Sequence, residues 1–193
     1  MSRARKVTRP GAVYRGLLVG VTAMIVAMPG LTAERFDRTL SLGETRLEQC
    51  GTGELVAYRF FTVGHAALYR QACDQPWALP AKEAATILFR YAREIPAHAF
   101  PEAAEEMLAR NIHDSQLKAQ MPSRLEAFHA AYEAVDEGDL YQISYQQDLG
   151  LSLMLNQKQL AVLEDGPLAR LYFSIWLGDD PFDEDLKDDL LGQ

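Results

Sequence analysis

The sequence predicts an α+β fold, an antiparallel β-sheet with α-helices packed on one face, because strand-like runs come first, helical periodicity next, three more short strands after that, and helices again. Each helical segment carries a single apolar stripe, which needs a broad apolar surface to cover. No linker or internal repeat divides the chain. At 193 residues, 48% hydrophobic and 24% charged, it can bury a sizeable core, which excludes a disordered tail, a collagen-like rod and a coiled coil.

The first 33 residues stand apart. Arg3, Arg5, Lys6, Arg9 and Arg15 precede an apolar run over residues 16–31, and no acidic residue occurs there. Pro29-Gly30 breaks the run just before Leu31-Thr32-Ala33, so residues 1–33 read as a signal peptide cleaved after Ala33, ahead of a domain of residues 34–193. The expected destination is an exported, periplasmic one. Leu31 is larger than the small residue usual three positions before a cut, so an uncleaved anchor, with membrane contact through this segment alone, is the other reading. The remaining 160 residues hold 14 basic against 27 acidic side chains, a net of −13. Such a domain repels phosphate-rich surfaces, so no nucleic-acid partner is expected.

Within the domain, residues 40–50 are mixed, Gly51-Thr52-Gly53 reads as a turn, and residues 55–69 read as a central strand apolar on both faces. Residues 86–91 form another such strand. Over residues 96–112 the period changes: Phe100, Ala103, Ala104, Met107 and Leu108 share one helical face. Ser123 is placed to cap a second helix carrying Leu125, Phe128, Tyr132 and Val135. Residues 140–146, 151–156 and 159–163 follow as a meander. Leu168, Leu171, Tyr172, Ile175 and Trp176 mark a third helix, stopped by Gly178, and Leu186 and Leu190 the inner face of a last one.

Chemistry-bearing patterns are few. Gly51-Thr52-Gly53 lacks both a third glycine and the helix start that would hold a pyrophosphate. His65, His98, His113 and His129 show no zinc-ligand spacing, no GxSxG elbow occurs, and no metal or cofactor is expected. The seven carboxylates between Asp179 and Asp189 lack the order of a calcium loop and match the positive N-terminal end of a helix instead. Cys50 and Cys73 either pair, which export permits, closing a loop worth about 3 kcal/mol, or remain two buried thiols. Arg59 and Arg90 interrupt apolar strands, where a buried guanidinium needs an anionic or carbonyl partner. Each is therefore a candidate anchor for the carboxylate of an apolar ligand, with Tyr69 and Tyr91 as candidate hydroxyls; the plainer reading has each arginine reaching water or a neighbouring acid.

Several stretches resemble a known family. Tyr172-Phe173-Ser174-Ile175-Trp176-Leu177-Gly178-Asp179-Asp180-Pro181, followed by Asp185-Leu186-Lys187-Asp188-Asp189-Leu190-Leu191-Gly192, is similar to the closing signature of bacterial chalcone isomerase-like proteins. Upstream, Cys50-Gly51-Thr52-Gly53, Arg59-Phe60-Phe61-Thr62-Val63 with Ala66-Ala67-Leu68-Tyr69, and Phe89-Arg90-Tyr91 look like its other motifs. The resemblance implies an antiparallel sheet under helices with an apolar cleft between the layers, in a family that includes an isomerase closing chalcones to flavanones and fatty-acid-binding members. The chain departs from the family's pattern where Glu54-Leu55-Val56 replaces a basic residue and Thr62-Val63-Gly64 replaces a Lys-Val-Tyr, so no catalytic residue carries over.

Three functional readings follow. The first is an exported, non-catalytic protein binding a hydrophobic carboxylate such as a fatty acid between sheet and helices, held by Arg59 or Arg90. The second is an isomerase (intramolecular lyase) acting on an enone or phenolic substrate, with Arg59 facing a developing oxyanion and Tyr69 or Tyr91 shaping the site. The third is an envelope structural or partner-binding protein with a filled interior.

Overall fold

The structure, a computed structural model, describes residues 36–57, 61–164 and 166–193; residues 1–33, where a signal peptide is expected, and Arg59 lie outside them. Strands β1 (Thr39–Leu42), β2 (Thr45–Ala57), β3 (Phe61–Arg70), β4 (Ala85–Tyr91), β5 (Leu140–Gln146), β6 (Gly150–Leu155) and β7 (Lys158–Leu163) pair in chain order, every neighbour antiparallel. Helices α1 (Ala99–Asn111) and α2 (Ser115–His129) are inserted between β4 and β5, and α3 (Pro167–Leu171), α4 (Ser174–Leu177) and α5 (Glu184–Leu191) end the chain. The helical excursion leaves and rejoins the sheet at paired backbone, where Ile95 bridges Val135. The α+β class and the meander agree with the sequence expectation.

Alternation along β4 sends Ala85, Ile87, Phe89 and Tyr91 to the helix-covered face and Leu88 to the other. On that second face Leu47, Ala67, Tyr69 and Leu88 form a small separate core, covered by Phe36, Leu40 and Leu42 from the start of the described chain. The sheet must curl to allow this. In a flat sheet β1 and β5 would lie about 19 Å apart, four strand spacings, yet Gln146 Nε2 donates to the Leu42 carbonyl at 3.3 Å.

Four local expectations are corrected. Gly51-Thr52-Gly53 is not a turn but the middle of β2. Its glycines are explained by α5, which lies directly on the strand: a Cβ on Gly51 would stand 2.0 Å from the Asp189 carbonyl oxygen, and one on Gly53 2.9 Å from Leu186 Cδ1. The single strand expected over residues 55–69 is instead two, with Ala57 and Phe61 facing each other across the hairpin. Asp114, not Ser123, caps α2, accepting from the backbone N–H groups of Gln116 and Leu117 at 2.8 and 3.0 Å. Pro122 and Ser123, which look like a helix start, lie inside α2, where the Ser123 hydroxyl donates to the Gln120 carbonyl. The third helix is divided by Tyr172 and Phe173 into α3 and α4.

A bulge between Gln49 and Gly51 reverses which residues of β2 face the helices, so Leu47 belongs to the small core and Leu55 to the large one. The extra residue, Cys50, is bridged to Cys73, with Cα atoms 5.1 Å apart, tying β2 to the segment after β3. Because the bridge spans a separation of 23 residues, replacing both cysteines by serine is expected to lower unfolding free energy by about 3 kcal/mol in urea titrations. Gly51→Ala is expected to cost about 2 kcal/mol or more by the same measurement, whereas Gly166→Ala, whose Cβ would meet nothing nearer than 3.8 Å, should change stability by less than about 0.5 kcal/mol.

Candidate functional site

Of the four side chains singled out in the sequence, two share a face of the sheet. Tyr69 and Arg90 lie on the face away from the helices, on adjacent strands, whereas Tyr91 points into the helix–sheet layer. Arg59 is outside the described residues. Tyr69 is fully buried and its hydroxyl donates to the Asp37 carbonyl at 2.7 Å. Burial pushes its pKa up to about 12; hydrogen bonding with Gln49 opposes this, Asp37 adds to it, and the Arg90 charge opposes it. The phenol therefore keeps its proton, and stays a donor, at any physiological pH. The Arg90 guanidinium lies 5.8 Å from the centre of the Phe36 ring. Beneath them Ala67, Leu88 and Leu47 supply an apolar floor. Beside Gln49, which neighbours Tyr69 across the ladder, a hollow of about 390 Å³ is lined by Arg38, Thr39, Glu48 and Gln49. A cation, a fixed phenol donor, an apolar floor and an adjoining hollow are what an amphiphilic carboxylate would need.

The helix–sheet layer is filled by side chains. The Tyr91 ring meets Phe100 and Tyr141 at 5.7 and 6.1 Å between centroids, Phe89 meets Trp176 at 4.9 Å, and Phe128 meets Tyr172 at 5.4 Å. Burial, with Tyr132 and Tyr141 nearby, raises the Tyr91 pKa well above the usual phenol value. Tyr91 is thus part of the packed wall. The buried cation on this side is one the sequence reading passed over: Arg70 is neutralised by Glu83 at 2.6 Å, donates to the Gln75 carbonyl and lies over the Trp77 ring. It is committed to structure.

A second polar group also escaped the sequence reading. The Tyr132 and Tyr172 hydroxyls are 3.0 Å apart, Tyr172 is 3.2 Å from His129 Nε2, and His129 Nδ1 is 3.2 Å from Glu105 Oε1. These partners assign a neutral imidazole that donates from Nδ1 to Glu105 and accepts the Tyr172 proton at Nε2. The chain runs from a hollow of about 420 Å³, lined by Pro101, Glu105, Glu126 and His129 among others, into the aromatic packing. Only His129 and Tyr132 are close in sequence; Glu105 and Tyr172 come from other elements, so no linear motif announces the set.

Burial lowers the His129 pKa below the ordinary 6.5, outweighing the opposing pull of Glu105. The unfolded chain therefore takes up this proton at a higher pH than the folded one. The contribution of His129 is complete above about pH 6.5 and declines as the pH falls below that value toward the folded-state pKa. Urea midpoints at pH 7.5 and 5.5 are expected to fall more for the wild type than for His129→Gln; equal losses would remove His129 from the acid response.

The fold is shared with a known binding protein. The crystal structure of a fatty-acid binding protein from Arabidopsis thaliana superimposes with a TM-score of 0.62 at 15% identity, over 81% of this chain and 90% of that one. No curated protein matches by sequence. The chalcone isomerase-like family model matches residues 31–192, nearly the whole described structure, and the chain belongs to that family.

Proposed function

We propose that the protein is an exported, non-catalytic member of its family that binds a hydrophobic carboxylate, such as a long-chain fatty acid. The observation that carries this is that Arg90 and the buried Tyr69 phenol lie on one face of the sheet, on adjacent strands, with the apolar side chains of Ala67, Leu88 and Leu47 and with the hollow at Gln49 beside Tyr69. The head group would accept from the guanidinium and the phenol, and the chain would lie along the apolar side chains of β1 and β2. The fatty-acid binding named for the Arabidopsis structure is consistent with such a ligand. In this reading the ligand lies on the face opposite the helices and not between sheet and helices as the sequence suggested, because rings occupy the helix–sheet layer. Export rests on the leader-like residues 1–33, and the bridge between Cys50 and Cys73 suits an oxidising compartment.

The filled layer favours a second reading, a structural or partner-binding protein without a ligand. Palmitate titrations separate the two. Binding should be measurable by calorimetry and raise the melting temperature. Arg90→Ala should weaken it about ten- to hundredfold, the loss of a charge-assisted contact, and Tyr69→Phe about fivefold. Absence of binding by saturated and unsaturated long-chain acids alike would leave the structural reading.

A further inference from the structure

We propose that the Glu105–His129–Tyr172–Tyr132 chain is an acid-sensitive latch, in which uptake of one proton by His129 reverses the hydrogen bonds and loosens the end of α2 from the junction of α3 and α4. The hydrogens can be counted. Burial holds the Tyr132 and Tyr172 phenols protonated, raising both well above the usual phenol range. With a neutral imidazole, every hydrogen in the chain has one acceptor, and all the bonds run the same way. Tyr132 donates to the Tyr172 hydroxyl at 3.0 Å, Tyr172 to His129 Nε2 at 3.2 Å, and His129 Nδ1 to Glu105 Oε1 at 3.2 Å. One more hydrogen, on Nε2, has no place in this order. Nε2 turns from acceptor to donor, Tyr172 loses its acceptor, and one phenolic hydrogen is left over whichever way the bonds are redrawn. Tyr132 cannot pass it on, because Tyr172 is its hydrogen-bond partner and no other is found among the described residues.

The two ends of the chain respond to the proton in opposite ways. At the outer end, Glu105 of α1 and Glu126 of α2 line the hollow with His129, and no described basic side chain joins them. Both carboxylates favour a charged imidazole. The next acids on either side, Glu106 and Glu133, are paired with Arg110 and Lys158. At the inner end the phenols are enclosed by rings: Phe100 stacks on Tyr132 at 5.3 Å between centroids, and Phe128 meets Tyr172 at 5.4 Å. A leftover hydrogen there meets carbon, and a buried donor without an acceptor is costly. Water reaching the phenols from the hollow would supply the acceptor, and for that the end of α2, which carries His129, must give way. The latch is closed above about pH 6.5 and opens as the pH falls through the lowered pKa of the folded state. None of the residues assigned to the ligand takes part in it.

Hydrogen exchange of the full-length chain between pH 7.5 and 5, corrected for the pH dependence of the exchange chemistry, tests the latch. The amides of residues 128–132 should quicken about tenfold, with those of β3 and β4 unchanged, because one buried hydrogen bond is lost locally. The midpoint should coincide with the titration of the His129 imidazole followed by NMR in the same samples, a readout that needs no variant. His129→Gln, whose amide donates to Glu105 and accepts from Tyr172 at any pH, should abolish the step. Glu105→Gln keeps an acceptor for Nδ1 but removes the charge that favours protonation, so it should move the midpoint to lower pH. A His129 that titrates while exchange at 128–132 stays constant overturns the latch. So does a His129 that remains neutral down to pH 5, or a step that persists unchanged in His129→Gln.

Discussion

Strand β4, and β3 from Ala66 onward, are buried on both faces, and this constraint organises the rest of the molecule. A strand covered on one side can leave its polar residues in water, whereas one covered on both must pair each of them inside the protein. Thr86 and Ser144 do so by sharing a 2.8 Å hydrogen bond across β4 and β5. Arg70 does so with Glu83 and two carbonyl oxygens, and Tyr69 with Asp37. Two covers are needed, and the chain supplies them differently: helices over one face, and its own first described residues, brought round by the curl of the sheet, over the other.

The two covers differ in permanence. On the helix side, α5 is seated against β2 through the missing side chains of Gly51 and Gly53, and the Cys50–Cys73 bridge fastens the same stretch of β2 to the segment after β3. Ring-to-ring packing fills the space between. Cover on the other side is a four-residue edge strand and a half-buried phenylalanine. A ligand competes most readily where the cover has fewest contacts, which is why the Tyr69–Arg90 face, and not the layer beneath the helices, is read as the binding side.

Each cover also contains one polar arrangement of a different kind. The Glu105–His129–Tyr172–Tyr132 chain is internally complete, each described member satisfied by the next, and acts on stability through the burial of one imidazole. On the other side, the Tyr69 phenol donates to a backbone carbonyl and the Arg90 guanidinium lies against the Phe36 ring. Membership of the chalcone isomerase-like family fixes the scaffold on which both sit, while the chemistry belongs to these particular residues.

Much of the scaffold was legible in the sequence because it rests on local periodicity. The strand at β4, the stripe of α1 and the meander of β5 to β7 follow from patterns a few residues long, and the terminal signature pointed to the family. Arg90 and Tyr69 stood out because each is a polar group in an apolar run. What local pattern could not supply was long-range contact. Gly51 and Gly53 looked like a turn because the helix that requires them lies some 140 residues further on. Tyr91 looked like a partner of Arg90 because adjacency along a strand hides that neighbours face opposite ways. His129 carried no motif because its partners, Glu105 and Tyr172, arrive from two other places in the chain. Sequence alone determined which residues form strands and helices and which polar groups lie among apolar ones; only the tertiary structure decided which of those groups share a face and what covers them, because curl and layer packing are set by contacts between residues far apart in the chain.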